Sequence, residues 1–265
     1  MPFFRIIMPN YNNSEWLDKS IGSVLGQTFQ DFHFIFVDDM STDGSREKML
    51  KMLEGHKNCS ALGNKAKLWN GGSRNVGLEA QIVSSMYTLF LDSDDWFASP
   101  TILQELHDFI VDCDYPECVR LAYICEYDGN KRLTVHLTDN NADKLAKSAF
   151  VACWTKCIKS DLVQPFPENT LMEDVVQHIR QCEVLDYDVA VFDKPILVHN
   201  RNNLNSCTRK ENLDTQNGKW KSSMYRYMAD LLDLELTKPY CIAERNRRVS
   251  AWLKNYQAGK YTQSG

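Results

Sequence analysis

The chain has 265 residues, of which 43% are apolar, 25% charged and 11% aromatic, and its formal net charge is −5. These are globular proportions with room for a full core. They exclude a disordered or fibrous chain and give no overall pull toward nucleic acid or anionic lipid. No window approaches the roughly eighteen unbroken apolar residues of a membrane span, and the start MPFFRIIMPNYNN turns polar too early for a signal peptide, so a cytoplasmic protein, soluble or peripheral at a membrane, is expected.

Taken in chain order, Phe4–Met8 reads as a buried strand and Ser14–Gln27 as a helix with Ser14 as N-cap. His33–Val37 is a second strand, Arg46–Glu54 a helix with Gly55 just past its end, and Lys65–Trp69 a short third strand. Asn75–Ser84 reads as helical, Met86–Leu91 as a fourth strand, and Ser99-Pro100 opens another helix. Strand–helix alternation of this kind predicts a parallel α/β sheet with helices on both faces and ligands at the C-terminal strand ends. Beyond about residue 113 the pattern changes. Val119–Cys125 and Arg132–Leu137 form a hairpin across Asp128-Gly129-Asn130, Ala142–Ala149 is helical, and Ala152–Ile158 is a strand. Glu173–Glu183 is a helix, Val189–Phe192 and Ile196–His199 are two strands, and Trp220–Leu236 and Ile242–Tyr256 are helices divided by Lys238-Pro239.

Residues 1–206 hold 19 Lys and Arg against 29 Asp and Glu, whereas 207–265 hold 11 against 6. An acidic body is thus followed by a basic tail, with a boundary near 207. The nine cysteines are odd in number and include no CxxC pair, which reads as reduced thiols rather than a disulfide framework.

The first, second and fourth strands each run into a polar cluster: Pro9-Asn10-Tyr11-Asn12, Asp38-Asp39-Met40-Ser41-Thr42-Asp43-Gly44-Ser45, and Asp92-Ser93-Asp94-Asp95-Trp96. Carboxylates packed at strand ends repel one another unless a cation neutralises them, and a hard divalent ion does so while leaving positions open for phosphates. No GxGxxG follows the first strand and no GxxxxGK[ST] is present, which counts against an NAD-binding domain and a P-loop NTPase.

The runs IIMPNYN, VDDMSTDGS, GSRNVGL and FLDSDDWF, in that order and spacing, resemble the inverting family-2 glycosyltransferases of the GT-A fold. ACWTKCIKSDL, FPENTLMEDV and VHNRNNLNSCT resemble the acceptor-side half of that family, so the likeness spans residues 4 to about 208. The resemblance implies a Rossmann-like, mostly parallel sheet flanked by helices, here with a helical C-terminal extension. It also implies transfer of a sugar from a nucleotide-sugar donor, UDP-linked, to an acceptor hydroxyl with inversion, helped by Mn²⁺ or Mg²⁺. On it, Pro9, Tyr11 and Asn12 line the nucleotide pocket and Asp39 accepts from the uracil edge. Arg74 and Asn75 meet the base and diphosphate side, and Asp92 and Ser93 lie by the ribose or donor sugar. Asp94 holds the metal, with His199 as a looser second ligand. Asp174 stands at the catalytic base, with Glu173, Trp154 and Arg201 at or behind the acceptor and Ser206 near phosphate.

The residues themselves leave plainer readings open. Glu173-Asp174 at a helix start suits the helix dipole. Asp43 and Ser45 suit a turn and cap, Asp95 equally a turn or helix entry or a ligand, His199 a structural role, and Trp96 and Trp154 wall packing. Met40 stands where the family usually has glycine, which restricts φ there. The expected organisation is a nucleotide-sugar half in 1–112, an acceptor half in 113–207 and helices in 208–265 through which the chain could self-associate. The acceptor is expected to be a glycan or glycoconjugate. A modified DNA base is the alternative acceptor, and a non-catalytic nucleotide-sugar-binding protein or a nucleotidyltransferase are alternatives to the activity itself.

Overall fold

The structure, a computed structural model, describes all residues except 81–83, 136–139, 148–150, 169, 171, 187–188, 205, 207–216 and 258–265, and only the backbone of 217–223. Its elements are β1 (Phe4–Asn10), α1 (Leu17–Leu25), β2 (Phe32–Asp38), α2 (Ser45–Leu53), β3 (Cys59–Gly63), α3 (Trp69–Glu79), β4 (Tyr87–Phe90), β5 (Trp96–Phe97), α4 (Ile102–Asp112), β6 (Cys118–Tyr127), β7 (Asn130–Thr134), α5 (Ala142–Ala146), β8 (Lys156–Lys159), α6 (Glu173–Val184), β9 (Val189–Asn200), α7 (Asn217–Leu232) and α8 (Pro239–Gln257). One sheet runs β3-β2-β1-β4-β8-β6-β9-β5, with β7 paired to β6. The pairs β3–β2, β2–β1, β1–β4 and β6–β9 are parallel, while β8 and β5 lie antiparallel to their neighbours.

β1 and β2 are buried along their whole length, as expected of parallel strands covered on both faces, and their apolar runs made them readable. Several expectations are corrected. Lys65–Trp69 is not a strand; the third strand is Cys59–Gly63, whose mixed burial at the sheet edge leaves a weak apolar signal. The Lys65–Trp69 segment instead turns into α3, because the Asp39 carboxylate captures the Leu68 and Trp69 amides. α3 therefore begins at Trp69 and ends at Glu79, not at Asn75 and Ser84, and residues 81–83 of the expected helix fall outside the described residues. Gly71 and Gly72 lowered its apparent helix propensity.

Ser14 is not an N-cap: α1 starts at Leu17, and the Ser14 amide donates to Asp43 Oδ2 at 2.8 Å. Cys153–Thr155 form a 3₁₀ turn, so only 156–158 of the expected strand is extended, and the strand runs on to Lys159. The two strands expected around 189–199 are one strand, β9. Asp193-Lys194-Pro195 is absorbed as a register shift against β6 between Leu121 and Tyr123. The α5 expectation reaches residues 148–149, which lie outside the described residues.

The tail is not separate from the body. Met224, Tyr227, Met228 and Leu231 of α7 and Tyr240, Cys241 and Trp252 of α8 share a core with Val175, Val176, Ile179 and Cys182 of α6. No described helix is long and apolar enough to cross a membrane. The eight described cysteines are free thiols, and Cys207 lies outside the described residues.

α3 lies very close to β1. A Cβ built on Gly77 would sit 2.6 Å from Ile7 Cγ2, inside a fully buried layer. Gly77→Ala is therefore expected to lower stability by about 1–3 kcal/mol through overpacking, read from urea denaturation.

Candidate active site

The C-terminal ends of β1, β2 and β4 carry the three polar clusters to one edge of the sheet, and α6 brings Glu173 and Asp174 to the same place. The link is Arg74 on α3. It is 1% exposed, and its guanidinium donates to Asp92 Oδ1 at 2.7 Å and to Glu173 Oε1 at 2.9 Å, with Asp174 Oδ1 at 3.7 Å. The guanidinium also faces the Phe166 ring at 5.2 Å. Arg74 is thus engaged by carboxylates rather than turned toward a base.

Asn75 is likewise engaged. Its amide donates to the Phe166 carbonyl at 2.9 Å and accepts the Phe166 N–H at 2.8 Å. The Arg-Asn pair therefore pins the loop before α6 and aims the carboxylates that open that helix. Gly71 allows the same approach, since a Cβ there would lie 2.5 Å from the Pro167 carbonyl oxygen.

Asp174 Oδ1 is buried and has no hydrogen-bond partner among the described residues. Burial, reinforced by the charge of Asp174 and opposed by Arg74, pushes Glu173 up to about 7. Arg74 pulls Glu173 the other way, but one guanidinium is shared by three carboxylates, so one of them holds a proton most readily. The folded state thus keeps a proton on Glu173 between about pH 4.5 and pH 7, where the unfolded chain has released it. That contribution is fully present below about 4.5 and is lost as pH rises through about 7. Glu173→Gln removes the titration, so its stability relative to wild type is expected to improve by about 1–3 kcal/mol between about pH 5 and pH 8. Denaturation at both pH values measures this; a constant difference would contradict it.

Asp39 is buried and its oxygens are well supplied. Oδ1 accepts from Asn64 Nδ2 at 2.9 Å and Leu68 N at 2.8 Å; Oδ2 accepts from Trp69 N at 2.9 Å and faces Lys67 Nζ at 3.0 Å. The same ammonium lies 2.8 Å from the ring centroid of Tyr11, which is 45% exposed. Pro9 is buried within β1, paired with Val37. Asn12, at φ 53°, accepts the Thr42 N–H at 2.8 Å and so ties the β1 and β2 loops together. Met40 adopts φ 64° despite its side chain, a conformation glycine would take without strain.

The Asp92–Asp95 turn is held from the far end of the sheet. Ser93 Oγ accepts from Asn13 Nδ2 at 2.8 Å, and Asn203 Nδ2 donates to Asp94 Oδ2 at 2.7 Å. Burial and the neighbouring carboxylates Asp95 and Asp92 push Asp94 up to about 7, against the Asn203 hydrogen bond and His199. Asp95 is fully buried and is not a simple turn residue: it accepts the Asn200 N–H at 2.8 Å and lies 3.2 Å from His199 Nδ1. His199 is raised on balance. Burial lowers it, but its bond to Asp95 and the three carboxylates nearby outweigh that.

Trp154 is buried and stacks on His199 at 4.9 Å, so its face is covered rather than offered to a sugar. Arg201 is exposed, with its amide bonded to the Glu126 carbonyl, and the Ser206 amide donates to Asn203. Among the described residues no three His, Cys, Asp or Glu side chains gather as a ready cation cage. Asn64, Lys67 and Asn203 are site residues that sequence reasoning missed, and none carried a local signal. Asp95, the last acid of the FLDSDD run, stood open between a turn residue and a ligand.

A family model described as glycosyl transferase family 2 matches residues 5–160, which is more than half of the chain. The chain belongs to glycosyl transferase family 2. Among curated relatives, the minor teichoic acid biosynthesis protein GgaA of Bacillus subtilis is 34% identical over 148 residues, 53% of this chain and 31% of the relative. The E. coli β-1,3-glucosyltransferase WfgD is 36% identical over 100 residues, 37% of this chain and 38% of the relative. The matched segments therefore cover well under half the length of these relatives. Among solved structures, S. aureus TarS 1-349 with UDP-GlcNAc superposes with a TM-score of 0.70 at 17% identity, over 96% of this chain and 73% of the other. The mannosyltransferase PcManGT of Pyrobaculum calidifontis, solved with GDP-Man and Mn²⁺, gives 0.62 at 13% identity, over 100% of this chain and 76% of the other. At these identities the likeness concerns the fold, and the fold of this family-2 member is the expected GT-A type.

Proposed function

We propose that this family-2 chain is an inverting glycosyltransferase that moves a sugar from a UDP-sugar to a hydroxyl of a glycan or glycoconjugate, with Mn²⁺ or Mg²⁺ and Asp174 as general base. The observation that carries the reading is the single cluster in which Arg74 joins Asp92, at the donor-side strand end, to the Glu173-Asp174 pair. The partners of similar proteins support it. TarS is solved with UDP-GlcNAc, and WfgD is named for a UDP-Glc donor and a GlcNAc-diphosphoundecaprenol acceptor.

On this reading residues 1–112 bind the donor, about 113–207 shape the acceptor side, and 208–265 add helices. Tyr11 offers its face and Asp39 its carboxylate to the base, and a base stacked on Tyr11 takes the place of the Lys67 ammonium. Asp92 lies by the ribose or donor sugar. Pro9, Asn12, Ser93 and Asn75 hold the walls. Asp174 takes the proton of the acceptor hydroxyl as the new bond forms, which is what inversion with a single displacement requires. Glu173 and Trp154 stand behind it, and Arg201, exposed just past β9, lies on the acceptor side.

The residues fit a divalent cation. Asp94 is a half-buried carboxylate whose charge is disfavoured by its acidic neighbours, and among the described residues one ring nitrogen of His199 has no hydrogen bond. These two would hold the ion, with donor phosphates and water completing its shell. When bound, it supplies Lewis-acid stabilisation of the charge on the leaving diphosphate.

Thermal melting against a panel of nucleotide sugars, with and without Mn²⁺, tests the proposal. A UDP-sugar is expected to raise Tm more in the presence of Mn²⁺. A larger shift with a GDP- or CMP-sugar, or no dependence on Mn²⁺, would overturn the donor assignment.

A further inference from the structure

We propose that Asp95 is a positioning residue that fixes the tautomer and ring plane of His199, so that Nε2 offers its lone pair to the cation; this rests on the reading of His199 as a ligand. The β5–β9 pairing Trp96↔Val198 and Phe97↔Leu197 continues by one step to Asp95 opposite His199. Both Asp95 oxygens lie 3.2 Å from His199 Nδ1. The ring is stacked on Trp154 with an interplanar angle of 28°, and Trp154 is itself braced edge-on by Tyr123 at 4.9 Å. The carboxylate thus holds the ring in its plane and the indole holds it from one face. Among the described residues no hydrogen bond engages Nε2.

A buried carboxylate is costly unless something needs its charge or its two acceptors. Capping the Asn200 N–H needs only one acceptor, which a neutral asparagine would supply. Asp95 has two, both 3.2 Å from His199 Nδ1, and only a carboxylate presents acceptors alone to that nitrogen. A carboxylate can only accept, so Nδ1 must carry a proton, and the neutral ring must then leave Nε2 unprotonated. A carboxylate behind a ligating imidazole fixes the ligand in this way in metal sites generally.

The substitution Asp95→Asn inverts the arrangement. The Asn200 N–H holds the amide oxygen at the Oδ1 position, so the amide NH₂ takes the Oδ2 position, equally near Nδ1, and competes as a donor for that nitrogen. The tautomer with its proton on Nε2, which has no lone pair to offer, is then populated at the expense of the ligating one. Shape is kept, and ligation is weakened.

The test is Mn²⁺ affinity in saturating UDP, read from the electron paramagnetic resonance of free Mn²⁺, for wild type, Asp95→Asn, His199→Ala and the double variant. Asp95→Asn is expected to weaken Mn²⁺ roughly 10- to 100-fold. The double variant should be no weaker than His199→Ala alone, because both act through one ligand. If His199→Ala loses Mn²⁺ but Asp95→Asn does not, or if the losses add, the positioning role is wrong and the ligand assignment stands. If His199→Ala binds Mn²⁺ as wild type does, the ligand assignment fails and the positioning role with it. A measurement needing no variant guards against misfolding. In the wild-type UDP–Mg²⁺ complex, imidazole ¹⁵N shifts at alkaline pH should put the His199 proton on Nδ1; a proton on Nε2 would overturn the proposal.

Discussion

Asp174→Asn is expected to lower kcat by roughly two to four powers of ten while leaving UDP-sugar affinity nearly unchanged. The residue opens α6 with one carboxylate oxygen that has no hydrogen-bond partner among the described residues, 3.7 Å from a guanidinium already engaged by Asp92 and Glu173. That oxygen is buried against the arginine, but the side chain keeps 27% of its surface exposed, so the other carboxylate oxygen is available to a substrate hydroxyl; asparagine keeps the shape but cannot take the proton. Glu173→Gln should cost much less, because Glu173 faces Arg74 within the cluster and holds a proton up to about 7. The kcat of both variants on one acceptor decides between them. An inactive Glu173→Gln beside an active Asp174→Asn would move the base by one residue.

Arg74→Met is expected to destabilise the fold by about 3–5 kcal/mol, since it leaves Asp92, Glu173 and Asp174 buried or half-buried without their shared cation. For a chain of this size that is a Tm loss on the order of 10 °C. Arg74→Lys should recover only part of it, because a single ammonium cannot span two carboxylates as the planar fork does. Urea denaturation of both variants measures the effect. A loss in Arg74→Met below about 1 kcal/mol would mean that the cluster is held together by its loops rather than by the arginine.

The parts of this fold that were legible in the sequence are those whose cause is local. β1, β2 and β4 announce themselves as apolar runs because both faces of a parallel sheet are covered. α1, α4 and α6 show helical spacing because each buries one face. The errors have non-local causes. α3 starts where a carboxylate 29 residues upstream captures the Leu68 amide, and its glycines serve contacts with Ile7 and Pro167 that lie far away in the chain. β9 survives Pro195 because its pairing with β6 shifts register there.

The candidate site divides along the same line. The strand-end carboxylates and the Glu-Asp pair could be found as short motifs, and the fold brings them together through Arg74 across 99 residues of sequence. The supports could not be found that way. Asp95 meets His199 across 104 positions and Asp94 meets Asn203 across 109, and nothing in the local composition marks either pair. Arg74 and Asn75 were legible as a motif, but their partners were not: both side chains face protein groups rather than open pocket.

The most direct measurement is calorimetry of UDP binding with and without Mn²⁺ in wild type, Asp94→Asn and Asp174→Asn. Wild type should bind UDP more tightly with Mn²⁺, Asp94→Asn should lose that gain, and Asp174→Asn should bind as wild type does. UDP affinity indifferent to Mn²⁺ and to Asp94→Asn, or abolished by Asp174→Asn, would contradict the division of the site into a metal-assisted donor side and a separate general base.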